Sequence, residues 1–142
     1  AASSAAEAVL HHLLAQSIGR RGDAAGSGGL APAVRRRVRD YIDAHLGEAL
    51  TLDELARVAA LSTYHFARMF HVSFGEPPHA WVLGRRLAHA RALLARSPED
   101  LAGVARACGF GNASHLSRAF LRATGVTPGR YRAAARGQGV TL

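Results

Sequence analysis

An all-α fold is what this 142-residue sequence predicts, and three observations predict it. No segment alternates apolar and polar residues long enough to form a strand with one buried face. Apolar residues instead recur at spacings of three and four through most of the chain, the signature of helices with one inward stripe. The second half also repeats the first: Leu52, Leu55, Ala56 and Arg57 return as Leu101, Val104, Ala105 and Arg106 at an offset of 49. Comparing the chain with itself comes before reading any single motif, because a repeat constrains the whole architecture.

The elements follow in order. Between residues 4 and 18, Val9, Leu10, Leu13 and Leu14 have helical spacing and Ser4 with Glu7 makes a capping box, so a short helix is expected there. Residues 19–31 hold five glycines and little apolar periodicity, the composition of a flexible linker. A helix runs over 33–46, with Val34, Val38, Tyr41, Ile42 and Leu46 facing inward and Arg35, Arg36, Arg37 and Arg39 off that stripe. Thr51 with Glu54 three residues on, between Leu50 and Leu55, marks a strong helix start. Residues 78–96 read as one long helix carrying Trp81, Val82, Leu87, Ala90, Leu93 and Leu94. Ser97, Pro98, Glu99 and Asp100 then stop it and cap the next. The expected organisation is a helical arm at 1–21, read as the end of a domain upstream; a Gly-rich linker at 22–32; a helical domain at 33–136 of about seven helices; and a tail at 137–142. Within the domain, 33–77 and 97–136 are the two repeated halves and 78–96 connects them.

Composition narrows the function classes. Eighteen arginines and no lysine against ten acidic residues leave a formal charge of +8, which favours a polyanionic partner. The single cysteine, Cys108, excludes an intrachain disulfide and a multi-cysteine zinc site. No apolar run approaches the ~20 residues that span a bilayer, and a cytoplasmic, nucleoid-associated location is expected. Catalytic signatures are missing: His11 and His12 are adjacent and cannot share a helical face, and there is no His-Glu-x-x-His, phosphate-binding glycine loop or serine elbow. Neither an enzyme nor a cofactor is expected.

The repeat carries the chemistry. After one extra residue in the second copy, His65, Arg68, Phe70, Gly75 and Pro78 match His115, Arg118, Phe120, Gly125 and Pro128 at an offset of 50, and Trp81 pairs with Tyr131. Each copy is a short helix, a tight connection (Ala60 to Ser62, then Gly109 to Asn112) and a second helix, which is the helix-turn-helix pattern. At 100° per residue, Phe66, Met69, Phe70 and Phe74 share one face, as do Leu116, Ala119 and Phe120; these faces are core. The opposite faces carry Tyr64, Arg68 and His71 with Ala67 flanking, then Ser114, Arg118 and Leu121 with Ser117 flanking. An arginine here can pair with guanine O6 and N7, short hydroxyls admit close approach to the groove floor, and Tyr64 can pack on a thymine methyl. His65 and His115 sit at the stripe's edge, suited to packing or to a phosphate; Ser62 and Asn112 are placed as N-caps. The 19 residues of 78–96 span about 28 Å as a helix, close to the ~34 Å between successive major-groove faces, so two unlike readers on one asymmetric site are expected. The competing reading is a basic helical module that binds protein or RNA. RNA recognition favours stacking aromatics on a sheet or loop, and the nine aromatics here fall mostly on core faces.

Over about 33–134 the chain resembles the AraC/XylS-type transcription regulators. The stretches that carry the resemblance are Arg86 to Leu94, Val104 to Phe110, Ser117 to Phe120 and Gly125 to Arg132. The resemblance implies base contacts from Tyr64, Ala67 and Arg68 in the first copy and from Ala113, Ser114, Ser117 and Arg118 in the second. It implies phosphate contacts from Arg122, Thr127, Arg130 and the helix ends, here Thr63, His65, His71, Asn112 and His115. Double-stranded DNA is the implied partner, with RNA polymerase contact and a homodimer formed through an upstream domain beyond this chain. His71, Val72 and Leu121 stand where such proteins often carry basic residues, and Ala67 offers only a methyl.

Overall fold

The computed structural model describes residues 28–137. The helix expected within 4–18, residues 22–27 of the linker and residues 138–142 of the tail lie outside the described residues. Among the described residues there are seven α-helices and no strand: α1 Pro32–Ala44, α2 Leu52–Val58, α3 Thr63–Phe74, α4 Pro78–Arg96, α5 Leu101–Ala107, α6 Ala113–Thr124 and α7 Pro128–Ala135. No helix among them is long and apolar enough to cross a membrane. They group into two compact units, residues 28–44 with 50–82 and residues 45–49 with 83–137.

In the first unit, α1 buries Val38 and Ile42 completely and α3 does the same with Phe66 and Phe70. Phe70 and Phe74 stack with centroids 4.0 Å apart, and Trp81 meets Phe74 edge-on at 4.7 Å, so three rings close one end of this core. The capping box at α2 forms as the residues predict: Thr51 Oγ1 accepts from the Glu54 amide at 3.1 Å, and the Glu54 carboxylate accepts from the Thr51 amide at 3.4 Å. That carboxylate also accepts from the Tyr41 hydroxyl, which ties α1 to the start of α2. Leu30 and Ser73 join the entering chain to α3 through an amide-to-hydroxyl bond of 2.7 Å.

The first helix is shorter than its stripe suggests. It ends at Ala44, and the Glu48 amide then donates to the His45 carbonyl at 3.0 Å in a turn. Leu46 is buried as its spacing from Ile42 predicts, but as part of the second unit and outside any helix. Gly47 explains why the turn falls here: a Cβ would come within 2.9 Å of the Ala107 carbonyl, so only glycine fits without a shift.

The second unit packs Leu87, Ala90, Leu94, Val104, Ala105, Cys108, Phe110, Leu116 and Phe120 into one buried cluster, with Leu93, Leu101, Ala119 and Tyr131 against it. Burial pushes the Cys108 thiol up to about 11, against a smaller opposing effect of the Arg86 charge. The same desolvation lowers Arg86, whose guanidinium donates to the carbonyls of Leu46 at 3.1 Å and Glu48 at 2.8 Å. A matching arrangement closes the other end: Arg132 donates to the carbonyls of Leu94 at 3.0 Å and Ser97 at 3.2 Å, and Arg136 also donates to Ser97. Arg86 and Arg136 are related by the repeat offset of 50, and Glu48 and Ser97 by 49. The duplication therefore extends to an arginine that grips the chain ahead of each repeated helix pair.

Candidate nucleic-acid interface

Two helix-turn-helix pairs, α2 with α3 and α5 with α6, present the candidate readers. Both first helices end in a Schellman motif, which directs the chain into the second helix. In the first copy the Leu61 amide donates to the Ala56 carbonyl at 3.0 Å and Ala60 to Arg57 at 3.0 Å; in the second, Phe110 donates to Ala105 at 2.8 Å and Gly109 to Arg106 at 3.2 Å. The left-handed residue these motifs require is Ala60 at φ 58° and Gly109 at φ 86°. The extra residue of the second copy is Gly111, also left-handed at φ 83°.

Each second helix then starts on a side-chain cap. Ser62 Oγ accepts from the His65 amide at 3.2 Å and Asn112 Oδ1 from the His115 amide at 2.8 Å, as the sequence predicts. Left-handed Gly75 and Gly125 end them, donating to the carbonyls of His71 and Leu121 at 2.8 Å. Both core faces are sealed, with Phe66, Phe70, Leu116 and Phe120 fully buried and Met69, Phe74 and Ala119 half-buried.

The outward faces are less alike than the wheel suggests. On α3, Tyr64 and His71 are exposed while Ala67 and Arg68 are half-buried; on α6, Ser114, Arg118 and Leu121 are exposed while Ala113 and Ser117 are half-buried. The two arginines occupy equivalent positions, yet they differ in exposure, Arg68 being half-buried and Arg118 exposed.

Hydrogen bonding sorts the residues expected at phosphates. Asn112 accepts through its oxygen and keeps its amide protons to donate; Thr127 Oγ1 accepts from the Arg130 amide at 3.2 Å and keeps its hydroxyl proton. Thr63 differs, because its hydroxyl donates to the Asp53 carboxylate at 2.7 Å. Its backbone amide is then the donor it has for an anion. His65 holds Nε2 buried without a hydrogen-bond partner, which favours packing over phosphate contact. His115 Nδ1 lies 2.8 Å from the Phe110 carbonyl and must donate to it, so neutral Nε2 is an acceptor and offers a phosphate a proton only as imidazolium. Arg122 and Arg130 are exposed. The arginine grips at Arg86, Arg132 and Arg136 were missed in the sequence, although extending the repeat alignment pairs Arg86 with Arg136.

Residues 55–134 match the family model described as a helix-turn-helix domain. A transcriptional regulator from Chromobacterium violaceum of the AraC-type DNA-binding class superposes with a TM-score of 0.68 at 26% identity, covering 72% of this chain and 92% of that one. The chain belongs to the AraC-type helix-turn-helix family. Another match is the DNA-binding domain of the global transcriptional factor AdpA, solved in complex with a target DNA: TM-score 0.70 and 33% identity over 73% of this chain and 94% of that one. Among curated relatives, LumQ from Photobacterium leiognathi is 38% identical over 94 residues, 66% of this chain and 38% of LumQ. The regulatory protein PocR of Salmonella typhimurium is 39% identical over 92 residues, 65% of this chain and 30% of PocR. The AraC-type chain thus spans about a third of the length of the curated relatives it matches.

Proposed function

We propose that this chain is the sequence-specific, double-stranded DNA-reading part of a transcription regulator, with α3 and α6 entering adjacent major-groove segments of one asymmetric promoter site. The observation that carries the reading is the pair of capped, core-anchored second helices whose outward faces differ in chemistry. Tyr64, Ala67 and Arg68 read the first segment; Ala113, Ser114, Ser117 and Arg118 read the second. Arg122, Arg130, His71, the Asn112 amide, the Thr127 hydroxyl and the Thr63 backbone amide hold phosphates and set the register, while the bases supply the discrimination. The +8 charge supports this assignment, and the 33% identity to a domain solved on its target DNA supports it independently. The whole protein acts in the cytoplasm at the nucleoid, contacts RNA polymerase and dimerises through a further domain.

Selection from a random duplex pool followed by footprinting tests the proposal. The expected product is one motif with two unlike halves about one helical turn apart. Enrichment of no motif, or of a palindrome, overturns it.

A further inference from the structure

We propose that Leu121 is a base-reading residue, contacting the 5-methyl group of a thymine beside the base read by Arg118; the inference rests on the DNA-binding reading above. Leu121 is 48% exposed, more than any other large hydrophobic side chain among the described residues, and it is outside the buried cluster of its unit. At 100° per residue, Ser114, Arg118 and Leu121 fall within about 60° of one another, so they share the face that carries the polar readers. All three are exposed. The helix is still regular at this point, because Gly125 caps it onto the Leu121 carbonyl at 2.8 Å. Leu121 is therefore presented from a rigid backbone.

Its position and surroundings select the ligand. Leu121 lies about 4.5 Å along the axis from Arg118, little more than the ~3.4 Å rise of one base step. Leucine neither donates nor accepts a hydrogen bond, and the apolar feature of the major-groove floor is the thymine methyl. Exposed Arg118 and Arg122 flank it, so the apolar spot is embedded in positive charge, which suits a groove between phosphates better than an apolar protein surface. The equivalent position in the first copy is exposed His71, so this methyl-reading contact belongs to the second half alone.

The test uses the 142-residue chain and its selected site. Arg118→Ala first locates the base pair whose preference relaxes. Thymines within about two base pairs of it, the reach of adjacent helix turns, are then replaced one at a time by deoxyuridine, which removes only the methyl. At one of them the wild type is expected to lose about fourfold in affinity, the value of one buried methyl. Leu121→Ala should bind the thymine and uracil duplexes equally, and Leu121→Met should retain the discrimination. Unchanged affinity of Leu121→Ala for random DNA shows that it is folded. Equal uracil losses in wild type and Leu121→Ala, as expected if Leu121 docks a protein, overturn the inference alone. So does a selected site with no thymine in that window, or no uracil sensitivity there. Failure to select any site overturns the DNA-binding reading and this inference together.

Discussion

Ala60 and Gly109 hold the same left-handed position in the two copies, and they meet it at different cost. An L-residue there is disfavoured by roughly 1–2 kcal/mol, while glycine gives back part of that as lost chain entropy. Ala60→Gly should therefore raise the unfolding free energy by about 0.5–1 kcal/mol in urea titrations. Gly109→Ala should lower it by ~2 kcal/mol or more, since the new Cβ would meet the Leu46 carbonyl and lie 2.8 Å from Arg86 Nε. Cys108 supplies a pH signature. Its thiol is raised to about 11 in the folded state, so its contribution is complete below the ordinary thiol range near 9 and is lost as pH climbs through 11. Stability measured from pH 8 to 11 should fall more steeply in the wild type than in Cys108→Ala. Among the readers, Arg118→Ala should cost ~1–3 kcal/mol on the selected site and relax one base preference; equal losses on random DNA would remove Arg118 from base reading.

At the scale of elements, both repeated pairs are held by caps within and by arginine grips without. Ser62→Ala and Asn112→Ala should each cost about 1 kcal/mol of stability, the ordinary worth of an N-cap. Arg86→Ala leaves the Leu46 and Glu48 carbonyls without their charged donor and should cost ~1.5–3 kcal/mol, with Arg86→Lys restoring only part because an ammonium cannot reproduce the planar fork. Urea unfolding of the four variants measures each. The helices, their N-caps and the buried phenylalanines were legible because Ser, Asn, Thr and Asp cap by side-chain chemistry and the aromatics keep helical spacing. The arginine grips were not, since their acceptors are backbone carbonyls that leave no trace in residue type. Nor was the contrast between Arg68 and Arg118, because a helical wheel gives equivalent positions equal exposure and neglects what packs beside them. The early end of α1 escaped for a related reason: the i, i+4 spacing of Ile42 and Leu46 is helical, and the close approach that demands Gly47 is tertiary.

For the whole molecule, the arginine excess makes affinity a function of salt. Each phosphate contact released should reduce the slope of log affinity against log salt by roughly 0.9. Arg122→Ala is expected to flatten that slope by about one unit while weakening binding to all sequences alike, and an unchanged slope in a salt titration would take Arg122 off the backbone. Gly111, the additional residue of the second copy, falls after the Schellman motif has closed and before Asn112 opens the next helix, exposed and with open space where a Cβ would stand. A length change there disturbs the register of neither helix. The connection is thus a seam at which the chain can be cut and lengthened, and a small peptide or dye-bearing linker spliced in there should leave both helices folded.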